Sequence, residues 1–406
     1  MRSPVDPKTD LMKTRKNIKN NETLSILGYG CMILPRKGNA IDEEESEKLI
    51  VSAIERGVNY FDTAYVYQNG KSEITLGKIL AKGYRDQVNI ATKLPPFLVR
   101  KTADFDKIFN TQLTRLQTDH IDYYLIHMLM EEATWERLKS LGALEWIAEK
   151  KESGQIRNIG FSFHGTKAEF VKIVDAYDWD FCQIQYNFID EYNQAGKSGL
   201  LYAYSKGIPV IVMEPLRGGK IVFGLPKEVD AIWKKMTPQR SVVEWALRWV
   251  WDQPQVLLLL SGMSAQDQVD ENIRIASEAE ANTLSAEELA LFDQAREIIR
   301  EKTKVPCTAC GYCMPCPYGV DIPAVFAAYN DKYLNNKGFS AMFTYMQNTG
   351  AMTKHPAYAS LCQSCHACEP HCPQSIMISD RMKDVKADLE GPFFKPIAYL
   401  GGKFMK

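Results

Sequence analysis

The sequence predicts an α/β protein, a (β/α)8 TIM barrel, followed by a smaller, mainly α-helical domain rich in cysteine. Three observations point there. Between residues 24 and 276, short β-branched runs alternate with stretches of helical periodicity, the pattern of a parallel sheet with crossover helices. The runs number eight over roughly 250 residues, which is the size of a closed barrel of this kind. Eight of the ten cysteines fall between Cys307 and Cys372, beyond all the runs. The rival is an open doubly wound sheet, which usually has fewer strands and a GxGxxG turn after the first. The first run here ends in LGYGCM, which lacks that spacing.

In chain order, residues 1–23 read as an extension and lead-in. MRSPVDPKTDLMKTRKN has basic residues but no apolar run, so it is not a secretory leader. Met12 reads as the start of the domain proper and residues 1–11 as a loose extension. The strand candidates are TLSILGYG, VNYFDTA, VNIATK, IDYYLIH, IRNIGFS, FCQIQYN, IPVIVMEP and VLLLLSG. EEESEKLIVSAIERG and TWERLKSLGALEWIAEKKESG carry apolar residues at helical spacing and close on a glycine, a common helix C-cap. Thr237-Pro238 is expected to open a helix with proline at its first position. That helix runs through SVVEWALRWVW and stops before Pro254. A last barrel helix is expected at 284–302, with Ser285 and Glu288 at capping-box spacing. Val305-Pro306 then breaks the pattern. The expected domains are 24–303 for the barrel and 304–406 for the tail.

Composition narrows the function. Lys and Arg total 49 against 50 Asp and Glu, a net charge of −1, which argues against a general nucleic-acid or anionic-membrane binder. VLLLL is too short to span a bilayer. A cytoplasmic location is expected, and there a clustered CxxC pattern means metal rather than disulfides.

Catalytic side chains of such barrels collect at the C-terminal ends of strands. Asp62 ends the second run and Tyr67 follows five residues later; Lys93 ends the third and His127 the fourth. Together these four types can reduce a carbonyl without metal. Hydride arriving at carbon builds negative charge on oxygen, which needs a proton. A phenol supplies it once a nearby ammonium favours the phenolate. A carboxylate holds that ammonium in place, and a histidine orients the carbonyl. Taken singly, each has an ordinary reading: Asp62-Thr63 as a cap, Tyr67 as a surface aromatic, Lys93 and His127 as polar strand ends. Their occurrence on three consecutive strands favours chemistry.

FDTAYVYQNGKSE, ATK, IDYYLIH and IRNIGFS resemble the aldo-keto reductase superfamily through most of residues 24–276. The resemblance implies that Asp62, Tyr67, Lys93 and His127 are the catalytic tetrad, with Tyr67 as general acid. It implies NADP(H) or NAD(H) as cofactor, bound without a Rossmann turn. It places Ser162 and Gln183 on the carboxamide, with Phe163 where an asparagine is common. Met213 falls where many members stack a tyrosine on the nicotinamide. Pro215, Leu216, Arg217, Gly218 and Gly219, in EPLRGGK, match the loop that wraps the pyrophosphate, with Lys220 as an added charge. Glu271 and Asn272 match adenine-side contacts. Gly262 and Gln268 stand where basic residues often grip a 2′-phosphate, which leaves the nicotinamide type open; Arg274 is the substitute candidate, or a solvated helix charge.

In the tail, Cys362, Cys365, Cys368 and Cys372 with Pro373 form C-x2-C-x2-C-x3-C-P, the bacterial ferredoxin run. Cys307, Cys310, Cys313 and Cys316 form a similar set with one residue fewer before the last cysteine. Three thiolates at i, i+3 and i+6 wrap three corners of a cubane, and the fourth ligates the other cluster. Cys307, Cys310, Cys313 and Cys372 would then hold one [4Fe-4S] cluster, and Cys316, Cys362, Cys365 and Cys368 the second, unless the short spacing shifts the pairing. Two four-cysteine zinc sites are the alternative. His366 and His371 read as loop residues. The long helical spacer makes the tail ferredoxin-like but α-helical. The whole arrangement resembles the branch of aldo-keto reductases with a fused C-terminal 4Fe-4S ferredoxin-type domain.

The expected function is a nicotinamide-dependent oxidoreductase acting on a small-molecule carbonyl or alcohol, with two [4Fe-4S] clusters for electron transfer or structure. A redox protein partner is compatible with the clusters. A flavin converter is too, since barrels bind flavin without a motif. The alternative is an electron-transfer or redox-sensing iron–sulfur protein whose barrel is a docking scaffold.

Overall fold

The computed structural model describes residues 12–223, 225–334, 340–352 and 356–398. The expected loose extension, residues 1–11, lies outside them. Eight strands form the barrel: β1 Leu27–Gly30, β2 Tyr60–Asp62, β3 Asn89–Leu94, β4 Ile121–Leu129, β5 Ile156–Phe163, β6 Phe181–Gln185, β7 Val210–Met213 and β8 Val256–Ser261. Each pairs in parallel with the next, and β8 closes on β1 with Leu259 opposite Leu27. A strand covered on both faces reads as a continuous apolar run, and β8, VLLLLS, is buried throughout. Tyr60, Tyr123, Phe181, Ile211 and Leu258 join one apolar cluster, with Tyr123 stacked edge-on at 5.0 Å from both Tyr60 and Phe181.

The first strand candidate is shorter than expected. Thr23–Ser25 leaves the barrel and pairs antiparallel with Thr14–Lys16, and the barrel strand begins at Leu27. This hairpin joins the start of β4, where the Tyr123 hydroxyl donates to Glu22 at 2.5 Å.

The barrel helices are α1 Glu43–Glu55, α2 Lys71–Leu80, α3 Ala103–Leu116, α4 Glu132–Ser140, α5 Ala143–Glu152, α6 Lys167–Asp175, α7 Gly196–Ser205, α8 Val242–Trp251 and α9 Gln266–Glu278. Two expectations are corrected. The 134–154 stretch is two helices, because Gly142 at φ 91° turns the chain between α4 and α5. Thr237-Pro238 does not open α8, which begins four residues after the proline; residues 237–241 are irregular.

By packing, the chain divides into two compact units. One runs to Pro215 and resumes over Glu244–Leu284; the other comprises Leu216–Val243 and the chain from Ser285 onward. This division differs from a cut near residue 303. The cause is apolar packing within the second unit, where Trp233 lies 5.1 Å from Phe292 of the helix Ala286–Lys302. That helix, α10, starts with a complete Ser285/Glu288 capping box. The second unit continues with α11 Ile322–Leu334, α12 Ser340–Asn348 and α13 Ile378–Leu389 around buried Val305, Phe326, Tyr345, Val385 and Phe394. Among the described residues, no helix is long and apolar enough to cross a membrane.

Candidate active site and cysteine cavities

The barrel brings the four strand-end residues together. Lys93 Nζ lies 2.5 Å from Asp62 Oδ1 and 2.8 Å from the Thr63 carbonyl. The same ammonium sits 4.9 Å from the centroid of the Tyr67 ring. The Tyr67 and His127 rings meet edge to face at 5.8 Å. Asp62, Lys93 and His127 are buried, whereas Tyr67 is half-buried. Tyr67 is placed by a turn with three successive left-handed residues, Gln68, Asn69 and Gly70. Glycine suits the last of these, Gly70 at φ 81°, a backbone conformation that other side chains rarely adopt.

Burial pushes the Asp62 carboxyl up and the Lys93 ammonium down, each opposed by its partner's charge. Burial, then Lys93 and His164, hold His127 well below the usual imidazole range. The site therefore offers a neutral imidazole beside a paired ammonium and a phenol.

Sequence reasoning missed a supporting network. Glu73 Oε1 accepts from Thr92 at 2.6 Å and from Gln112 at 3.0 Å. Gln112 also donates to the Lys93 carbonyl and accepts from the Tyr124 hydroxyl. Arg115 joins Glu73 to the Tyr65 carbonyl, both at 2.9 Å. These bonds tie α2 and α3 to the strand that carries Lys93. His164, one residue past β5, was also missed. It is buried, hydrogen-bonded to Gln194, and lowered to about 4 chiefly by burial. Nothing in GFSFHG distinguishes it from an ordinary loop histidine.

The residues expected at the nicotinamide occupy neighbouring strand ends. Ser162, on β5, accepts from the Met128 amide at 2.8 Å. Gln183, on β6, places its amide nitrogen 3.6 Å from the Met213 sulfur on β7, and its oxygen is buried without a partner among the described residues. Phe163 is buried. Asn272 of α9 donates to Ser261, at the end of β8, at 3.0 Å, and Glu271 is half-buried beside it. Arg274 pairs with Glu244 at 2.6 Å and with Glu278 at 3.2 Å. Pro215 ends the first stretch of the barrel unit; Leu216, Arg217, Gly218 and Gly219 belong to the second unit. Arg217, Gly218 and Gly219 are successively left-handed.

In the second unit the cysteines line two cavities. Cys307, Cys310, Cys313 and Cys372 line one. Cys316, Cys362, Cys365 and Cys368 line another. The two cysteine loops repeat one backbone. Ala309 and Ser364, each two residues after a cysteine, are left-handed, as are Gly311 and His366, each four after. In both loops the amide two residues on points at the sulfur, Ala309 to Cys307 and Ser364 to Cys362, each at 3.4 Å. Left-handed turns at these positions bend the chain around a common centre, and N–H···S bonds suit thiolates. Burial pushes Cys313 up to about 12, assisted by neighbouring cysteines, and Cys368 to about 11, assisted by Glu369 and then by neighbouring cysteines; bound cations would offset that cost. Among the described residues, no three His, Cys, Asp or Glu side chains gather as ligands of a single ion. Thiols spread around a cavity suit a polynuclear cluster. His366 borders the second cavity and pairs with Glu369 at 2.9 Å.

Residues 26–297 match the model of the aldo/keto reductase family, and residues 306–377 that of the 4Fe-4S dicluster domain. NADH-specific methylglyoxal reductase of Escherichia coli (strain K12) is 26% identical over 298 residues, covering 62% of this chain and 89% of that protein. L-galactose dehydrogenase of Arabidopsis thaliana is 24% identical over 310 residues, covering 69% and 93%. The holo form of an aldo-keto reductase from Bacillus halodurans has a TM-score of 0.59 at 26% identity, covering 70% of this chain and 96% of that one.

Proposed function

The chain belongs to the aldo/keto reductase family of NAD(P)-dependent oxidoreductases and carries a C-terminal 4Fe-4S dicluster domain, and from that premise we propose that it interconverts a small-molecule carbonyl and its alcohol with Tyr67 as general acid. The observation that carries the reading is Lys93, held between Asp62 at 2.5 Å and the Tyr67 ring at 4.9 Å. A nicotinamide bound at Ser162, Gln183 and Met213 would supply the hydride, or accept it in reverse.

In reduction, the Tyr67 phenol donates its proton to the carbonyl oxygen. The Lys93 ammonium stabilises the phenolate left behind, and Asp62 keeps that ammonium charged in a buried site. His127, neutral, orients the oxygen by a hydrogen bond and restrains its developing charge. Pro215, Leu216, Arg217, Gly218 and Gly219 are assigned to the pyrophosphate of NADP(H) or NAD(H), and Glu271 and Asn272 to its adenine end. The two cysteine sets are assigned one [4Fe-4S] cluster each, Cys307, Cys310, Cys313 and Cys372 to the first, and Cys316, Cys362, Cys365 and Cys368 to the second.

Replacing Tyr67 with Phe tests the mechanism. Carbonyl turnover should fall by at least about 100-fold, the loss typical of a removed general acid, while nicotinamide binding, read by tryptophan quenching, persists. Full turnover by the Phe variant would reject Tyr67 as the acid. Iron and sulfide analysis of anaerobically purified protein tests the cluster assignment, with about eight of each per chain expected for two cubanes.

A further inference from the structure

The glycine loop at Arg217–Lys220 and the first cysteine loop are fastened together within the second unit. The Lys220 ammonium donates to the carbonyl of Cys307 at 2.6 Å. Gly218, left-handed at φ 63°, lies so close that a Cβ there would be 3.4 Å from the Thr308 carbonyl. Arg217 is buried alongside in sequence. Thr308 itself lines the first cavity. It is 5% exposed, and its buried hydroxyl has no hydrogen-bond partner among the described residues. Neither cavity is lined by the 216–220 loop itself; the loop reaches the first through the backbone of Cys307 and Thr308, both of which line that cavity and not the second. The two cavities therefore sit in unequal electrostatic surroundings.

We propose that the 216–220 loop couples occupancy by a nucleotide pyrophosphate to the redox state of the first cluster, through Lys220 and Thr308, and leaves the second cluster untouched. The proposal rests on the assignment of the loop to the pyrophosphate. The direction follows from charge. Lys220 at the Cys307 carbonyl favours the reduced, more negative cluster, and a hydrogen bond donated to cluster sulfur by the unpartnered Thr308 hydroxyl would do the same. A pyrophosphate on the loop adds negative charge and competes for the same ammonium, so it disfavours reduction. By linkage, reduction of the first cluster must weaken pyrophosphate binding by the same factor. A bound nucleotide would thus keep the first cluster oxidised, and reduction of that cluster would promote nucleotide release.

The test uses the anaerobic, cluster-loaded full chain and ADP-ribose or its 2′-phosphate as probe. Each carries the pyrophosphate but no nicotinamide, so neither exchanges electrons. Calorimetry measures its binding, and a dithionite titration followed by paramagnetic resonance measures each cluster. Cys365→Ser, which disturbs the second cavity alone, assigns the two signals. Saturating probe is expected to make the first cluster about tenfold harder to reduce, about 59 mV for one electron, with the second unmoved. Lys220→Met should lower the first potential without probe and abolish most of the probe's shift. Thr308→Val, which keeps shape, should lower that potential while leaving probe binding intact. Binding that shifts neither cluster, or shifts both equally, overturns the coupling while sparing the pyrophosphate assignment. No binding by either probe overturns that assignment and the coupling with it.

Discussion

Lys93 and Asp62 form a buried ion pair, and such pairs are costly to break. Removing one partner leaves the other charged and desolvated, a loss of about 3–5 kcal/mol. Lys93→Met should therefore destabilise the barrel by that amount, read as a lowered midpoint of its unfolding, in addition to suppressing turnover. A variant as stable as the wild type would mean that Asp62 reaches another cation or solvent. His164 gives a pH dependence whose sign is set by burial. Unfolded, its imidazole titrates near 6.5; buried, at about 4. The unfolded chain binds the extra proton between those values, so this contribution is full above about pH 6.5 and is lost as pH falls toward 4. Between pH 7 and pH 5 the wild type should lose more melting temperature than His164→Gln, since His127 contributes to both; equal losses would place His164 in contact with water. That Asp62, Tyr67, Lys93 and His127 come together was legible because strand ends collect at one rim, so residue type and position pointed to the same place. His164 and Glu73 were not, because their roles come from Gln194, Gln112 and Arg115, which are distant in sequence.

At the scale of elements, the eight strands could be read because burial on both faces writes continuous apolar runs. The N-terminal hairpin could not, since Thr14–Lys16 is polar and its pairing with Thr23–Ser25 is decided across a turn. Gly142 was passed over because the periodicity continues on either side of it. Pro238 misled because a helix-opening signal also fits a loop. Gly77 tests how far local propensity decides. In mid-helix, Gly→Ala ordinarily stabilises by up to about 1 kcal/mol. In α2, a Cβ at Gly77 would lie 2.4 Å from the Arg115 carbonyl of α3. Backbone cannot yield as a side chain does, so Gly77→Ala should destabilise by about 1–3 kcal/mol. It should also slow turnover, because α2 and α3 hold Glu73 and Gln112 on the Lys93 strand. A stabilised variant would show that the two helices slide apart freely.

For the whole molecule, the order of the chain matters more than its length. The connection between β7 and α8 leaves the barrel unit at Pro215, folds with the second unit, and returns at Glu244. Sequence reading places this segment in the barrel, as the family match over residues 26–297 does, while packing groups it with the second unit. Its packing on α10, through Trp233 and Phe292, and its Lys220 bond to Cys307 are set by partners more than fifty residues away. The second unit has a modest apolar core, and its two cavities are lined by eight cysteines. Small units of this kind draw folding energy from bound metal. Stripping iron with a chelator should therefore loosen the second unit and release the Arg217–Gly219 loop from its anchor. Asp62, Tyr67, Lys93 and His127 stand on β2, β3, β4 and the turn after β2, and none of the eight clustered cysteines belongs to those elements. The expected signature is split: nucleotide affinity falls about tenfold or more, while turnover at saturating nucleotide stays within a few-fold of the loaded protein. Unchanged affinity after complete iron loss would mean that the loop holds its shape without the cysteine loops, and that the β7–α8 connection is braced by α10 alone.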